Sequence, residues 1–440
     1  MEIILIFSEQ PSSRLTYILD VLLIQLLNVD YKLTHQPEVF TRYIGPKVNY
    51  SPYRLTTREL HIPPAGLLFE TSIRNHCPQV EQSVPFPVFY NQPNDEADFS
   101  YDALSMCFYL LSRYEEYLPH QKDAHGRFPA SASLASKHNF LHLPIVNLWL
   151  KEFRNRLKQY FPTFEIKRPI YQFHATYDID LAWAFQHRGV LINSFGALKD
   201  LLQGNWQKLR LRYQVLNNKL SDPFDTYQFI IGLHQHTQLS GQCFFLLGDY
   251  GRFDKNIAPR KLALQELIQQ TSQQFCIGLH PSYRSNDKVG QLAKEVSRLE
   301  HITGKSVLHS RQHFLKVNLP KTYQELLKVG IRHDYSMGYA AKPGFRAGIA
   351  GPFPWYDLER ERATLLQIHP FQVMDVGLKN YLHLDPEQAL STIKPILQIV
   401  KDTGGVFSTL WHNSSFAEEF GWAGWRDMYK ALLEMGAERE

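Results

Sequence analysis

The sequence contains no long hydrophobic run, no dense block of one charge and few cysteines, and each shortage excludes something. A membrane-crossing helix needs about 18 or more consecutive apolar residues, and no stretch comes close, so no transmembrane segment is expected. The chain opens on Met1-Glu2, a short apolar run at 3–7 and then Ser8-Glu9; the early acid and the brevity of the run do not fit a secretion signal, and the expected location is the cytoplasm. Lys and Arg number 47 against 43 Asp and Glu, a net charge of +4 spread evenly along the chain. Without clustered cations there is no footprint for a nucleic-acid partner. Cys77, Cys107, Cys243 and Cys276 are far apart and form no CxxC pair, which points to reduced, buried thiols rather than a disulfide framework.

What is present is the composition of a soluble globular protein, 44% hydrophobic and 20% charged over 440 residues. Single cores rarely grow past about 250 residues, so two domains are expected. The first apolar run reads as a strand. Ser12 and Ser13 then offer caps to a helix whose apolar positions, Leu15, Ile18, Leu19, Leu22, Leu23 and Leu26, share one face. Residues 35–99 show no legible order. Helical spacing returns after Ser100, read as a cap, with Leu104, Cys107, Phe108 and Leu111, and again after Pro144 with Leu150, Phe153 and Leu157. The prolines at 162 and 169 mark a boundary, giving a smaller α/β domain at 1–165, expected to fold by itself, and a second domain at 170–440.

In the second domain short apolar runs at 172–177, 243–247, 275–279, 307–309, 330–334, 365–374 and 406–411 alternate with helical patterns, which predicts a parallel α/β barrel or sheet. Function in such folds gathers at the C-terminal ends of strands. Polar residues fall there: Asp178 and Asp180 after the first run, His280 after the third, Arg311 and His313 after the fourth, His412 after the last. Carboxylates and imidazoles at four strand ends form the donor set of a divalent metal of the zinc type.

Taken singly, Asp-x-Asp is more often turn chemistry than catalysis. Residues two apart on a strand face the same side, however, so Asp178 and Asp180 would repel unless a cation lay between them. Pro281 stiffens the turn that carries His280. Arg311, two residues before His313, can share its side and hold a carboxylate. The stretch from Asp334 to Gly348 is rich in glycine and aromatics. Tyr335, Phe345 and Arg346 within it, with Trp411, are candidates to contact a sugar, and the glycines would let backbone N–H groups approach an oxyanion.

In order, Thr176-Tyr177-Asp178-Ile179-Asp180, Cys243-Phe244-Phe245, Gly278-Leu279-His280, Ser310-Arg311-Gln312-His313 and Leu410-Trp411-His412 resemble the motifs of the NodB-homology polysaccharide deacetylases, carbohydrate esterase family four. The N-terminal part, with Arg113-Tyr114-Glu115-Glu116 and His125-Gly126-Arg127-Phe128, resembles an uncharacterised domain that precedes such proteins in bacteria. The resemblance implies a distorted (β/α)7 barrel and a carbohydrate substrate. It also implies a divalent metal, zinc first with cobalt, nickel or manganese as alternatives, and removal of an acetyl group, N-acetyl before O-acetyl. Asp178 takes the place of the family's catalytic base and His412 that of its acid, with Arg311 beside them. The sequence departs from the family twice. Ile179 stands where the family has a metal-binding aspartate, so Asp180 becomes the ligand; Arg284 stands where it has a second histidine, so His313 joins His280. A glycan-binding pseudoenzyme, or a different metal hydrolase on the same barrel, are the rival readings.

Overall fold

The computed structural model describes residues 3–83, 85–94 and 96–438; Met1 and Glu2, read above as part of the chain's opening, lie outside the described residues. Two sheets organise it. The first holds β1 (Ile4–Ser8), β2 (Tyr31–Thr34), β3 (Lys47–Tyr50) and β4 (Leu60–His61) in the order β2-β1-β3-β4, all parallel. β1 is buried along its whole length, as expected for an apolar strand covered on both faces. The Ser12 side chain accepts from Leu15 N and starts the helix Ser13–Leu19, which continues as a π-helical segment, Asp20–Leu26. The helix Ala103–Leu111 is capped by Asp102 and not by Ser100. Its carboxylate is already aimed there by bonds from Tyr50 Oη and Ala65 N, so it takes Ser105 N as well. Ile145–Tyr160 buries Trp149, Leu150, Phe153 and Leu157, the face anticipated from spacing.

The second sheet has nine strands. They are β5 (Tyr171–Ile179), β6 (Gly241–Leu246), β7 (Cys276–His280), β8 (His309–Ser310), β9 (His333–Asp334), β10 (Phe353–Asp357), β11 (Arg362–Ile368), β12 (Val373–Met374) and β13 (Gly405–His412). Their order is β10-β11-β9-β8-β7-β6-β5-β13-β12, parallel throughout except for the β10–β11 hairpin. Every expected run overlaps a strand, the one at 307–309 by His309 alone. The run at 365–374 contains parts of two, since Pro370 lacks the N–H that a continuous ladder needs.

The expected (β/α)7 barrel does not close: the sheet is open, with β10 and β12 as its edges. The N-terminal part occupies the β10 edge. Tyr17 Oη donates to Pro354 O at 2.8 Å, Gln25 Nε2 donates to Pro352 O at 3.0 Å, and the rings of Tyr17 and Phe108 lie 4.9 and 5.2 Å from that of Tyr356. An edge covered by helices has its free hydrogen-bonding groups shielded from further pairing. Cys107 and Cys243 are buried as expected, whereas Cys77 and Cys276 are exposed; all four are free thiols. Among the described residues no helix is long and apolar enough to cross a membrane.

One hydrophobic cluster runs through both parts, from Ile4 and Leu15 to Trp411 and Leu433. A buried charge network crosses the same boundary. Arg346 grips Glu116 through Nη2 at 2.7 Å and Nε at 3.0 Å, and Arg113 Nε reaches the same carboxylate at 2.8 Å. Burial alone would raise the Glu116 pKa; Arg346 and Arg113 outweigh it and hold the group at about 2. Removing one partner of a buried pair leaves the other charge uncompensated.

Where β5 begins, at the end of the sheet away from Asp178, a cavity of about 800 Å³ is lined in part by His174, Tyr335 and His369. His309 stacks on His333 at 4.6 Å, and His333 Nδ1 lies 3.0 Å from His369 Nε2. Burial, reinforced by the neighbouring cations and imidazoles, lowers His174 and His309 to about 4.

Two outcomes follow from these networks. Arg346→Met should cost about 3–5 kcal/mol of stability in denaturant unfolding, with a single transition for the whole chain; a loss below about 1 kcal/mol would show that the joint matters little. The depressed histidines stay neutral in the fold, while the unfolded chain takes up protons near the ordinary value of 6.5. Stability from this cluster is therefore present above 6.5 and lost as pH falls toward about 4. The thermal midpoint should fall over that window, and His309→Gln should flatten the slope; an unchanged slope in the variant would contradict the assignment.

Candidate active site

Strand register brings the polar residues together. His412 on β13 pairs directly with Asp178 on β5, and Asp178 pairs in turn with Phe244 on β6. Leu246 at the end of β6 pairs with His280 at the end of β7. The chain leaving β8 stays tied to β7, with Arg311 N donating to Leu279 O and His313 N to Pro281 O. Residues from four strands therefore meet over the C-terminal ends of β13, β5, β7 and β8.

Asp178 and Asp180 both face His280. Its Nε2 lies 3.1 Å from Asp180 Oδ1 and 3.8 Å from Asp178 Oδ2, while Ile179 between them is buried in the wall. His280 Nδ1 donates to Arg311 O at 2.6 Å, which leaves the Nε2 lone pair directed at the carboxylates. His313 is oriented the same way. Its Nδ1 meets Asp254 Oδ1 at 2.9 Å, and its Nε2 points to Asp180 Oδ2 at 3.6 Å. One donor atom each from Asp180, His280 and His313 lies within 4.8 Å of the others. Asp180 Oδ1 is buried and receives no well-aligned hydrogen bond although His280 Nε2 stands 3.1 Å away, so both atoms can face one cation. The donor set of one carboxylate and two imidazoles fits a zinc-type ion.

Electrostatics agree with this reading. Burial would raise the Asp180 pKa, but His313, His280 and His412 hold it well below the ordinary carboxylate value. Burial would lower that of His313, but Asp180 and Asp254 raise it to about 9. The carboxylates on either side of His313 thus favour positive charge at this position.

Two further groups flank the three donors. Arg311, fully buried, donates from Nη1 to Asp178 Oδ1 at 2.9 Å and from Nη2 to Thr176 Oγ1 at 2.7 Å, so one oxygen of Asp178 is held and Oδ2 stays free toward the cluster. On the other side His412 Nδ1 meets Asp375 Oδ1 at 2.9 Å, and its Nε2 stands 3.7 Å from Asp180 Oδ2. Burial disfavours the imidazolium, but Asp375 first, then Asp180 and Asp178, raise His412 to about 10.

Asp375 and Asp254 were not singled out from the sequence. Asp375 directly follows β12, a strand-end position like that of Asp178, so a signal was present. Asp254 lies in the loop after β6, and no strand end marks it.

The loop behind His313 is supported by the N-terminal part. Phe314 and Leu315 adopt left-handed φ values of 60° and 53°, uncommon for residues with a side chain. Arg127, itself paired with Asp123, donates to Phe314 O at 2.7 Å, and the Phe314 ring packs on His125 at 4.9 Å.

The four residues expected to contact sugar are not part of this opening. Trp411 is buried against Tyr429, Phe345 is buried, Arg346 belongs to the Glu116 network, and Tyr335 stacks on His369 at 4.3 Å toward the other end of the sheet. Their aromatic and cationic character serves packing in this fold. The donor set of Asp180, His280 and His313 does not include Arg284, whose backbone N, like that of Tyr283, bonds the Asp254 carboxylate that orients His313.

Residues 4–162 match the profile of a family described as one of unknown function, DUF7033. No curated protein matches the chain. Among solved structures, it is similar to a protein assigned as a polysaccharide deacetylase from Mycobacterium smegmatis, at 14% identity and a TM-score of 0.40, over 61% of this chain and 86% of that one. The catalytic domain of a peptidoglycan N-acetylglucosamine deacetylase from Eubacterium rectale aligns at 9% identity and a TM-score of 0.29, over 62% and 86%. A pseudoenzyme of carbohydrate esterase family four from Bacillus anthracis aligns at 12% identity and a TM-score of 0.28, over 61% and 63%. At scores of this size the likeness assigns neither fold nor activity to this chain.

The geometry predicts about one equivalent of a divalent metal per chain after incubation with zinc. Elemental analysis should show that Asp180→Asn and His313→Ala lower affinity by about 10-fold or more, as loss of a ligand requires at least the cost of losing an outer-shell partner. Wild-type affinity in both variants would rule the site out.

Proposed function

We propose that the chain is a metal-dependent hydrolase that removes an acetyl group, N-acetyl in preference to O-acetyl, from a glycan or glycoconjugate. One observation carries the proposal: the converging donors of Asp180, His280 and His313 are flanked by a guanidinium-held carboxylate on one side and a carboxylate-held imidazole on the other. A zinc-type cation, when bound, supplies a lowered pKa for water, from about 15.7 to about 7, and polarises an acyl carbonyl.

The remaining steps belong to the chain's own residues. Asp178 is the base: Arg311 holds Oδ1, and Oδ2 accepts the proton of the attacking water. His412 is the acid, because Asp375 keeps its imidazole charged at neutral pH with Nε2 turned to the cluster, ready to donate to the departing amine nitrogen. A single carboxylate cannot both commit its charge to a cation and offer a lone pair to water, so Asp180 takes the first task and Asp178 the second. Residues 170–440 carry this chemistry. Residues 1–165 form an accessory α/β unit whose role is to brace the His313 loop and the Arg346 network, in the cytoplasm. The rival reading of a glycan-binding pseudoenzyme drew on Ile179 and Arg284; a donor set that needs neither position favours chemistry over binding alone.

Acetate release from N-acetylated oligosaccharides and from O-acetylated glycans by the zinc-loaded protein tests the proposal. Asp178→Asn and His412→Ala should each keep the metal while losing about 10²–10⁴ in turnover. If Asp178→Asn loses the metal instead, the two carboxylates have been assigned in reverse. Acetate release no greater than that of Asp178→Asn on every glycan tried would refute the proposed activity.

A further inference from the structure

Between β5 and β6 the chain makes an excursion, in which helices Val190–Leu202 and Trp206–Leu216 pack together as a hairpin. Its inside is polar and well made. The buried Arg212 guanidinium reaches Asp200 Oδ2 at 2.6 Å and Asn193 Oδ1 at 2.9 Å, and it lies so close to Gly196 that a side chain there would collide with it.

The outside inverts the usual arrangement. Leu191, Phe195 and Leu202 are 74%, 71% and 79% exposed, at spacings that set them on one face of the first helix. Trp206, Tyr213 and Leu216 on the second helix are 65%, 60% and 43% exposed. Monomeric soluble proteins scatter such side chains singly; six of them on two neighbouring helices, three along one face of the first, mark a surface that meets something.

Charge identifies what it meets. Across residues 190–220 the one acid is Asp200, which is buried beneath Arg212 and Lys208. Lys199, Arg210 and Lys219 are exposed in the same stretch. A second copy of the chain packed face to face would bring these cations together with no carboxylate on the face to receive them. Anionic phospholipid satisfies both components, taking the aromatic and aliphatic side chains into the acyl boundary and the cations among its headgroups.

We propose that the 190–220 hairpin docks the protein on an anionic membrane surface. The hairpin follows the strand end that carries Asp178 and Asp180, so docking brings that end of the sheet close to the bilayer. This inference does not depend on the chemistry proposed above.

The test is flotation of the full chain with vesicles of phosphatidylcholine alone or mixed with phosphatidylglycerol. Binding is expected on the mixed vesicles, weakly or not at all on the neutral ones, and should diminish as salt screens the headgroups. Phe195→Ser with Trp206→Ser should weaken it by about tenfold or more, and Lys199→Glu with Arg210→Glu and Lys219→Glu should abolish it. All five positions are exposed, and circular dichroism should show the wild-type spectrum and melting temperature in both variants. No flotation with phosphatidylglycerol, or flotation that neither variant reduces, overturns the proposal. So does a wild-type dimer by analytical ultracentrifugation that Phe195→Ser with Trp206→Ser dissociates, since the hairpin would then be covered by a second copy.

Discussion

Two carboxylates project from one strand end to the same side, and such a pair repels unless positive charge is placed beside it. Much of the surrounding structure answers this requirement at Asp178 and Asp180. Arg311 is buried completely so that its guanidinium can hold Asp178. His313 and His412 both turn Nε2 toward Asp180 Oδ2, and both have raised pKa values, His313 through Asp180 and Asp254, His412 through Asp375 and then Asp180. Each of them is backed by a further carboxylate, Asp254 or Asp375, which fixes the ring and leaves Nε2 facing inward. A divalent cation in that space would supply positive charge to the same carboxylates.

The same requirement explains why a second unit is built against the sheet. His313 sits on a loop whose next two residues are held at left-handed φ, a conformation that persists only where neighbours impose it. Those neighbours include Arg127 and His125 of the N-terminal part. Further round, Glu116 and Arg113 hold Arg346, and Tyr17 and Phe108 cover the β10 edge. The two N-terminal motifs conspicuous in the sequence thus act on the larger sheet, one at the ligand loop and one at the buried ion pairs. The part that carries them also packs on the β10 edge of that open sheet.

Legibility followed the range of the interactions. Strand runs, capping by Ser12 and the apolar faces of helices depend on neighbours within a few positions, and these were readable. Asp178, Asp180, His280, Arg311, His313 and His412 stand at or just beyond the ends of such strands, so their positions followed from the same local reading. Tyr335, Phe345, Arg346 and Trp411 were read from residue type alone, and an aromatic or cationic side chain looks the same in a binding loop as in a buried contact. The partner decides which it is, and the partners are Glu116, His369 and Tyr429, all remote in sequence.

By itself the sequence determined the elements, their alternation, and which acids and imidazoles would stand at strand ends, because periodicity and capping are local properties of the chain. Tertiary structure alone decided that β13 lies beside β5 and so sets His412 against Asp178, and that Asp254 and Asp375 complete the two imidazoles. It also decided that the sheet stays open. These depend on strand order and on which surfaces are covered, and neither is encoded within the few residues over which a sequence pattern can be read.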